Sequence, residues 1–365
     1  MKNTIMKITE VSTEKINVPG IKNAFFPGFA DNSNGELILL CQAGSAFESS
    51  DCQGFYFKSA DKGKSWEFKG GITDFGSLGF EHRFTAGCKP TLLPDGKMIA
   101  AGYGYVRDRP DMGLSDYFET FKHFPDVHDF VVFSEDAGNS WSAPELIKHN
   151  YFGLEFSGPA VVCADGSIIA FGPPFDPNAA EQKQVILAST DGGKSWTERA
   201  SFSTGDIAPW ECRAVVLADG TVVMVIWAFD TKKSVHLNTQ LIISKDNGKS
   251  WSGMIDTGLR AQACNLLMID GKLAILQARR EGEKAGLYLN FVELTDDNVI
   301  VGEDYCLWLP VAGANVAGGI EKQFAALKFG QPSARMVDEK TMMVCFWGCV
   351  DDLYSVYIKH FEISK

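Results

Sequence analysis

The chain contains the stretch Ser189-Thr190-Asp191-Gly192-Gly193-Lys194-Ser195-Trp196, one of four copies of the pattern S-x-D-x-G-x-S-W. The other copies occupy residues 59–66, 134–141 and 244–251. An Asp side chain can accept backbone N–H bonds within its own turn, and Gly supplies a positive φ. The Trp can then bury its ring against a sheet. Each copy therefore predicts a tight hairpin turn, and the recurrence indicates a repeat architecture.

A second turn signal precedes each copy of the pattern and continues beyond the last copy. It joins two β-rich runs, as in residues 214–224, and Asp-Gly between such runs is a hairpin signature. The six turns of this kind are Asn34-Gly35, Asp95-Gly96, Asp165-Gly166, Asp219-Gly220, Asp270-Gly271 and the degraded Asp338-Glu339. The chain therefore consists of six similar units with a predicted pattern of four strands per unit.

Six units of roughly 60 residues predict an all-β fold, a six-bladed β-propeller of four-stranded antiparallel blades. The default expectation of two or three domains gives way to a single domain over residues 1–365. The last unit has only three strands before the chain ends. Residues 5–18 alternate like a strand, so we expect the N-terminal strand to complete that blade and close the ring.

Composition excludes several classes of function. The 365 residues carry a formal net charge of −12, which argues against a nucleic-acid partner because phosphate binding needs a basic face. The longest apolar run, residues 221–229, is too short for a membrane helix, and the N-terminus lacks a signal peptide. We therefore predict a cytoplasmic protein with no membrane partner. The nine cysteines lack zinc-finger spacing, which predicts reduced thiols, no metal and no cofactor.

Connectivity separates the two faces of the propeller. The Asp-Gly turns and the S-x-D-x-G-x-S-W turns both join an odd strand to the next even strand, so they share one face. The four repeated Asp residues are therefore interpreted as structural. The other face collects the loops after each second strand and the segments that enter each first strand, nearest the axis. A ligand in an axial pocket meets these segments.

Carboxylates, arginines and aromatic rings gather on that second face, and this combination suits a sugar. Aromatic rings stack on a sugar ring, Arg pairs with carboxylates or hydroxyls, and two carboxyl groups can divide acid and base roles. The candidate catalytic residues are Glu211, Asp51 and Asp176. The candidate substrate-binding residues are Arg83, Arg107, Arg279, Trp210, Trp227, His82 and Gln331. Glu48 is an alternative to Asp51, and Glu155 lies on the same face.

Each candidate has a plainer interpretation. Residues 107–111 would also suit a self-paired, solvated loop, and the two Trp residues would suit the core between blades. Arg279 and Arg280 are adjacent on a strand, so only one can face the axis. Glu211 is harder to explain as a purely structural residue, because a carboxylate that is buried at the narrow end of a first strand requires a partner.

The S-x-D-x-G-x-S-W turns resemble the Asp boxes, or BNR repeats, of the sialidase superfamily, and the resemblance covers nearly the whole chain. It implies a six-bladed propeller, like that of divergent bacterial sialidase-like proteins. The implied activity is hydrolysis of terminal sialic acids. The implied apparatus is three Arg on the substrate carboxylate, a Tyr nucleophile with a Glu partner, and an Asp acid/base.

The match to that apparatus is partial. Glu211 corresponds to the Glu, Asp51 or Glu48 to the acid/base, and Arg279 or Arg260 to one carboxylate contact. Phe25 and Trp227 stand where Arg is expected, and Gln331 stands where Tyr is expected. The resemblance therefore implies a changed specificity.

Three hypotheses follow. The favoured one is an exo-acting glycoside hydrolase for a terminal sugar, acidic sugars included, with an oligosaccharide or glycoside as partner. The second is a non-catalytic glycan-binding propeller, which the substitutions at Phe25, Trp227 and Gln331 favour. The third is a lyase on an acidic polysaccharide, with His82 or a Tyr as base. Two carboxylates in register near the axis would favour hydrolysis over binding.

Overall fold

Six antiparallel sheets surround a common axis in the computed structural model, which describes residues 6–176, 179–295, 298–310 and 327–364. Each sheet has a core of four strands, which follow one another in sequence in five sheets and include the N-terminal strand in the sixth, so each is a propeller blade. The predicted six-bladed, all-β fold is therefore confirmed.

In each blade the strand named first lies nearest the axis. Blade 1 contains β2 (Asn23–Asp31), β3 (Leu37–Gly44), β4 (Gln53–Ser59) and β5 (Glu67–Gly71). Blade 2 contains β6 (Arg83–Leu92), β7 (Met98–Arg107), β8 (Val127–Ser134) and β9 (Glu145–Leu146). Blade 3 contains β10 (Val161–Val162), β11 (Ile168–Gly172), β12 (Gln182–Ser189) and β13 (Thr197–Gly205).

The remaining blades follow the same order. Blade 4 contains β14 (Ile207–Val216), β15 (Val222–Asp230), β17 (Gln240–Ser244) and β18 (Ile255–Asp256), with β16 (Val235–His236) paired to β15. Blade 5 contains β19 (Gln262–Ile269), β20 (Lys272–Arg279), β21 (Gly286–Leu294) and β22 (Val299–Val301), with β23 (Tyr305–Trp308) paired to β21. Blade 6 contains β24 (Phe329–Met336), β25 (Thr341–Val350), β26 (Leu353–Ser364) and β1 (Lys7–Ile16).

The N-terminal strand closes the ring, as expected from the three-stranded last unit. Strand β1 pairs antiparallel with β26 from Lys7 opposite Ser364 to Ile16 opposite Val356, with one bulge between Glu10 and Ser12. The outermost strand of blade 6 therefore comes from the opposite end of the chain. This pairing covers the edge that β26 would otherwise expose.

The repeated turns are built as their composition predicts. In the turn after β12, Asp191 accepts hydrogen bonds from the Ser195 backbone N–H (2.9 Å) and from the Ser195 hydroxyl (2.6 Å). The Ser189 hydroxyl accepts from the Gly193 N–H (2.8 Å), and the Trp196 indole donates to the Gly193 carbonyl (2.8 Å). The same Asp and Ser bonds recur in the other three copies. The four Asp carboxylates are thus used within their own turns.

Apolar side chains fill the interfaces between neighbouring blades. The described residues form a hydrophobic cluster at each of the six interfaces. Between blades 3 and 4, for example, Ile169, Ile186, Val222 and Met224 are fully buried. Burying one such side chain contributes roughly 1.5–3 kcal/mol, so these interfaces hold the ring together.

One α-helix, α1 (Leu114–Phe121), interrupts the loop between β7 and β8, and a 3₁₀ turn (Phe75–Leu78) precedes β6. The helix begins after Gly113, carries Asp116 in its first turn, and ends at Lys122 in the left-handed region. No helix among the described residues is long and apolar enough to cross a membrane. The nine cysteines are free thiols, and seven of them are buried.

Candidate functional site

An axial cavity of about 350 Å³ opens on the face opposite the Asp-containing turns. An inner chamber of about 60 Å³ adjoins it. Both are lined by Phe26, Glu48, Tyr103, Tyr105, Leu114 and Gln331. Residues from blades 1 to 4, blade 6 and helix α1 therefore meet at one place.

β-Bulges aim residues at this cavity from the first strands of the blades. The register shifts between Phe25 and Gly28 in blade 1, between Trp210 and Arg213 in blade 4, and between Gly330 and Ser333 in blade 6. Each bulge contains a cavity-lining residue with positive φ. These residues are Phe26 (53°), Glu211 (44°) and Gln331 (43°). Blade 5 repeats the bulge at Ala263, which does not line the cavity.

A non-glycine residue in the left-handed region costs about 1–3 kcal/mol and persists only where the surroundings impose it. Glu48, in the loop between β3 and β4, adopts the same conformation with a φ of 54°. The cavity therefore collects four strained residues. Strain of this kind clusters at functional sites, which marks this face as the candidate active site.

Three glutamates line the cavity, and two of them favour the protonated form. Burial raises the pKa of Glu155 to about 8, and the charge of Glu211 contributes to the increase. Burial also raises the pKa of Glu48 to about 7, although Arg107 opposes the increase. A carboxyl group with a pKa near neutrality is suited to donating a proton at neutral pH.

Glu211 is the centre of a short hydrogen-bond network. Its Oε1 atom accepts from the Gln331 side-chain amide at 2.8 Å, and its backbone N–H donates to Glu155 Oε2 at 3.3 Å. Its Oε2 atom is buried and has no hydrogen-bond partner among the described residues. A buried carboxylate oxygen without a protein partner is costly, so this atom is available to accept from a water or a ligand hydroxyl.

Buried donors beneath the cavity hold the bulges in place. Arg213 Nη1 donates to the carbonyl oxygens of Glu211 (3.2 Å) and Cys212 (2.9 Å). The Lys89 ammonium group donates to the carbonyls of Phe26 and Pro27 in blade 1. Burial, together with the positive charge of Arg213, lowers the pKa of Lys89 to about 7. These cations therefore position the strained segments from below.

Aromatic rings form two walls of the cavity. On one side Trp210 stands edge-on to Trp227 at 5.3 Å and stacks on Phe229 at 4.6 Å. On the other side are Tyr103, Tyr105, Phe118, Phe124 and Phe175. Flat apolar walls with a few polar groups between them are typical of small-ligand sites.

The structure brings several of the sequence candidates together at the cavity. Glu211, Gln331, Trp210 and Trp227 line it, and exposed Asp176 lies at its rim. Arg107 is 2% exposed and lines the inner chamber. Its guanidinium group donates to the carbonyls of Glu48 (3.1 Å) and Met112 (2.6 Å).

Four candidates lie elsewhere. Asp51 accepts hydrogen bonds from the backbone and hydroxyl of Ser45, so its carboxylate stabilises the loop between β3 and β4 and does not itself line the cavity. His82 and Arg83 are exposed and also lie outside the lining. Arg279 points to the outer side of blade 5, where it pairs with Asp304 and covers the Tyr288 ring at 4.3 Å.

The adjacent Arg280 is the one that turns inwards. It is 1% exposed, its guanidinium carbon lies 5.4 Å from the Trp227 ring centre, and its Nε donates to the Phe329 carbonyl at 2.7 Å. Strand alternation required that only one of the two arginines face the axis, but it did not say which one.

Glu155 was not assigned a role from the sequence, although one signal was present. Glu155 precedes the first strand of blade 3, and Glu211 lies on the first strand of blade 4. Each follows a copy of the S-x-D-x-G-x-S-W turn. Glu48 was considered only as an alternative to Asp51. The bulges that orient Phe26, Glu211 and Gln331 have no recognisable sequence signal.

The described residues contain no group of three or more His, Cys, Asp or Glu side chains that could hold a metal ion. The side chains of His123 and His128 contact aromatic rings. His123 lies edge-on to Tyr117, and His128 stacks on Phe80.

Comparison with known proteins gives a consistent result. A family model described as a BNR repeat-like domain matches residues 21–252. A search of curated protein sequences finds no significant match. Among solved structures, a protein of unknown function from Dyadobacter fermentans is 18% identical with a TM-score of 0.75, and the match covers 98% of this chain and 99% of that one.

Two sialidase structures are also similar. The NanB sialidase from Streptococcus pneumoniae is 14% identical with a TM-score of 0.65, and the match covers 96% of this chain and 70% of that one. The Trypanosoma rangeli sialidase, solved with the inhibitor DANA, is 14% identical with a TM-score of 0.64. That match covers 97% of this chain but only 59% of the trypanosomal chain. These likenesses show a shared fold.

Proposed function

The chain belongs to the family of BNR repeat-like domains, and from this premise we propose that it is a glycoside hydrolase that removes a terminal sugar from an oligosaccharide or glycoside. The observation that carries the proposal is the meeting of Glu48, Glu155 and Glu211 between two aromatic walls in the axial cavity. The sialidases with the same fold are sugar-cleaving enzymes, which supports the substrate class.

Glu155 and Glu211 divide the chemical roles. Because Glu155 holds its proton at neutral pH, it donates that proton to the leaving oxygen as the glycosidic C–O bond breaks. A water supplies the hydroxyl that the anomeric carbon gains, and the Glu211 carboxylate takes up the proton of this water through its unpartnered Oε2. Gln331 orients Glu211 through its other oxygen.

Glu155 therefore takes the second carboxyl role for which Asp51 and Asp176 were the sequence candidates. Asp51 is committed to its own loop. Asp176 at the rim and Glu48 beside the inner chamber remain candidates for contacts with the sugar or the leaving group. Trp210 and Trp227 supply faces against which the sugar ring stacks.

Substitution of the two carboxyl groups tests this assignment. Glu211→Gln and Glu155→Gln should each lower kcat by about 10²–10⁴-fold, because positioned acid and base groups contribute that much. Both variants should fold, since Gln has nearly the same shape as Glu. The measurement is turnover of chromogenic glycosides, with circular dichroism to verify the fold.

The matched control is Glu145→Gln, which makes the same chemical change on exposed strand β9, outside the cavity. It should leave kcat unchanged. If Glu211→Gln keeps full turnover on a substrate that the wild-type protein cleaves, the assignment of Glu211 is wrong. Sugar binding without turnover in the wild-type protein would instead favour a glycan-binding propeller.

A further inference from the structure

All nine arginines of the chain lie in its described part, and none of them lines the axial cavity of about 350 Å³. Arginine is the side chain best suited to hold a carboxylate, because its planar fork donates two parallel hydrogen bonds. The positions and partners of these nine residues therefore bear directly on which sugars the cavity accepts.

Three arginines are buried near the axis, and main-chain carbonyls occupy them. Arg107 donates to Glu48 and Met112, Arg213 to Glu211 and Cys212, and Arg280 to Phe329. Arg107 Nε and Arg280 Nη2 are buried and have no hydrogen-bond partner among the described residues. These arginines support the backbone of the site, and none of the three lines the axial cavity.

The other six arginines lie away from the cavity. Arg83 is exposed at the start of β6. The remaining five bind acidic or polar partners in the protein: Arg109 binds Asp111, Arg199 binds Ser167, Arg260 binds Glu281, Arg279 binds Asp304 and Arg335 binds Asp31.

The charged groups that line the cavity are mostly acidic. Among the described residues, the lining contains the acidic Glu48, Glu155, Glu211 and Asp176 and one basic residue, Lys122, at the end of α1. Even with Glu48 and Glu155 protonated, the lining does not favour an anion. A carboxylate moved from water into such a site would lose its hydration without gaining a partner of comparable strength.

We infer that the sugar held in the axial cavity carries no carboxylate, so the substrates are glycosides of non-acidic sugars. The inference rests on the proposed function and specifies its substrate class. Glu211 and Gln331 line the cavity, and each has an acceptor oxygen, Oε2 and Oε1, that lacks a protein partner and that a sugar hydroxyl would satisfy. The apolar face of the ring meets Trp210.

The test compares two panels of sugars on the full-length protein. The non-acidic panel contains p-nitrophenyl glycosides of hexoses, deoxyhexoses, pentoses and N-acetylhexosamines in both anomeric forms. The acidic panel contains the 4-methylumbelliferyl glycoside of N-acetylneuraminic acid and p-nitrophenyl glucuronide. Tryptophan fluorescence reports binding of the matching free sugars, because Trp210 and Trp227 line the cavity.

We expect at least one non-acidic sugar to bind and to be cleaved, and acidic sugars to bind at least about tenfold more weakly. If an acidic sugar binds or reacts as well as any non-acidic one, the inference is overturned while the proposed function stands. If no sugar of either panel binds or reacts, the proposed function fails and the inference fails with it.

A gain-of-function variant tests the physical reason. Thr231 is exposed and lines the cavity, so Thr231→Arg places a guanidinium group at its rim. Thr231→Gln is the matched uncharged control. The Arg variant should bind acidic sugars several-fold more tightly than the Gln variant. If the two variants bind acidic sugars equally, the missing guanidinium group does not set the specificity, and the inference is wrong.

Discussion

Glu155 and Glu211 illustrate how a residue acquires its chemistry from its surroundings. Glu155 precedes the first strand of blade 3, whereas Glu211 sits in a left-handed bulge within the first strand of blade 4, and Glu155 accepts a hydrogen bond from the Glu211 backbone. Burial and the Glu211 charge then raise the pKa of Glu155 to about 8. Two carboxyl groups of one residue type can therefore take different roles.

The raised pKa of Glu155 predicts a cost in stability at alkaline pH. The folded state binds this proton more tightly than the unfolded state, so its contribution is fully present below the unfolded pKa near 4.5 and is lost as pH rises through about 8. Glu155→Gln removes the ionisable group. It should raise the Tm by a few degrees at pH 9 and change it little at pH 4.

Thermal unfolding followed by circular dichroism across this pH range provides the measurement. Glu145→Gln, on exposed β9, should leave the Tm unchanged at both values. A Glu155→Gln variant that is no more stable than the wild-type protein at pH 9 would show that Glu155 ionises there without cost.

The Asp-containing turn is the element that repeats, and its stability comes from bonds within eight residues. The Asp191 side chain accepts from both the backbone and the hydroxyl of Ser195, and Ser195, Ser189 and backbone donors hold the pKa of Asp191 at about 2. Gly193 has a φ of 92° and lies against Ile99 and Phe133 of the preceding blade. The turn therefore also connects neighbouring blades.

Removing the Asp side chain should weaken one such turn. Asp191→Ala leaves the Ser195 N–H and hydroxyl without their acceptor, which should cost about 1–2 kcal/mol, as loss of a helix cap does. Lys194→Ala changes an exposed residue of the same turn and should cost almost nothing. Chemical denaturation at pH 7 compares the two variants.

The same measurement at low pH checks the cause. A lowered pKa means that the stabilisation is present above about pH 4 and is lost as pH falls towards 2. The difference between Asp191→Ala and the wild-type protein should therefore shrink on acidification. If the difference in the free energy of unfolding stays constant with pH, the loss of stability comes from packing and not from the charged Asp191 carboxylate.

At the scale of the whole molecule, ring closure joins the two ends of the chain. Strand β1 supplies the outer strand of blade 6, and its first residue, Lys7, lies opposite Ser364. Without β1, one long edge of β26 would be unpaired and ready to associate with other chains. Two expectations stay predictions: that residues 1–365 form a single domain, and that the protein is cytoplasmic.

Deleting residues 1–18 should therefore abolish soluble folding. The sharper test is a circular permutant that starts at Lys22 and carries residues 1–18 after residue 365 through a short turn. Since Lys7 and Ser364 are neighbours across the β1–β26 pair, this connection makes a hairpin. The permutant should fold with nearly the wild-type Tm. A soluble, cooperatively folded deletion variant would refute the role of β1 in closure.

Much of the scaffold could be predicted because its signals are local. The four S-x-D-x-G-x-S-W turns and the Asp-Gly hairpins each depend on residues within a short segment, so their sequence suffices to place them. The count of six blades and the closing strand followed from the same periodicity. The face of the candidate site could also be predicted. The Asp-Gly turns and the S-x-D-x-G-x-S-W turns share one face by connectivity, which leaves the opposite face for a ligand.

The composition of the site could be predicted only in part. The sequence pointed to four residues that line the cavity, Glu211, Gln331, Trp210 and Trp227. Their positions on the first strand of blade 4 or 6, or late in a second strand, were the signal. The sequence favoured Asp51 over Glu48 as a catalytic residue and Arg279 over Arg280 as a substrate-binding residue. In a loop or at a strand end, the sequence does not indicate which of two nearby side chains turns towards the axis. That choice depends on partners such as Ser45 and Asp304.

The sequence by itself determined the six-bladed propeller, its closure by the N-terminal strand and the face that carries the site. The tertiary structure alone decided which side chains meet there. Bulges in separate blades turn Phe26, Glu211 and Gln331 towards the axis, and the buried side chains of Lys89 and Arg213 bond the backbone carbonyls of the first two. Turns are local and leave a mark in the sequence, whereas a pocket assembled from several blades depends on contacts between residues far apart in the chain.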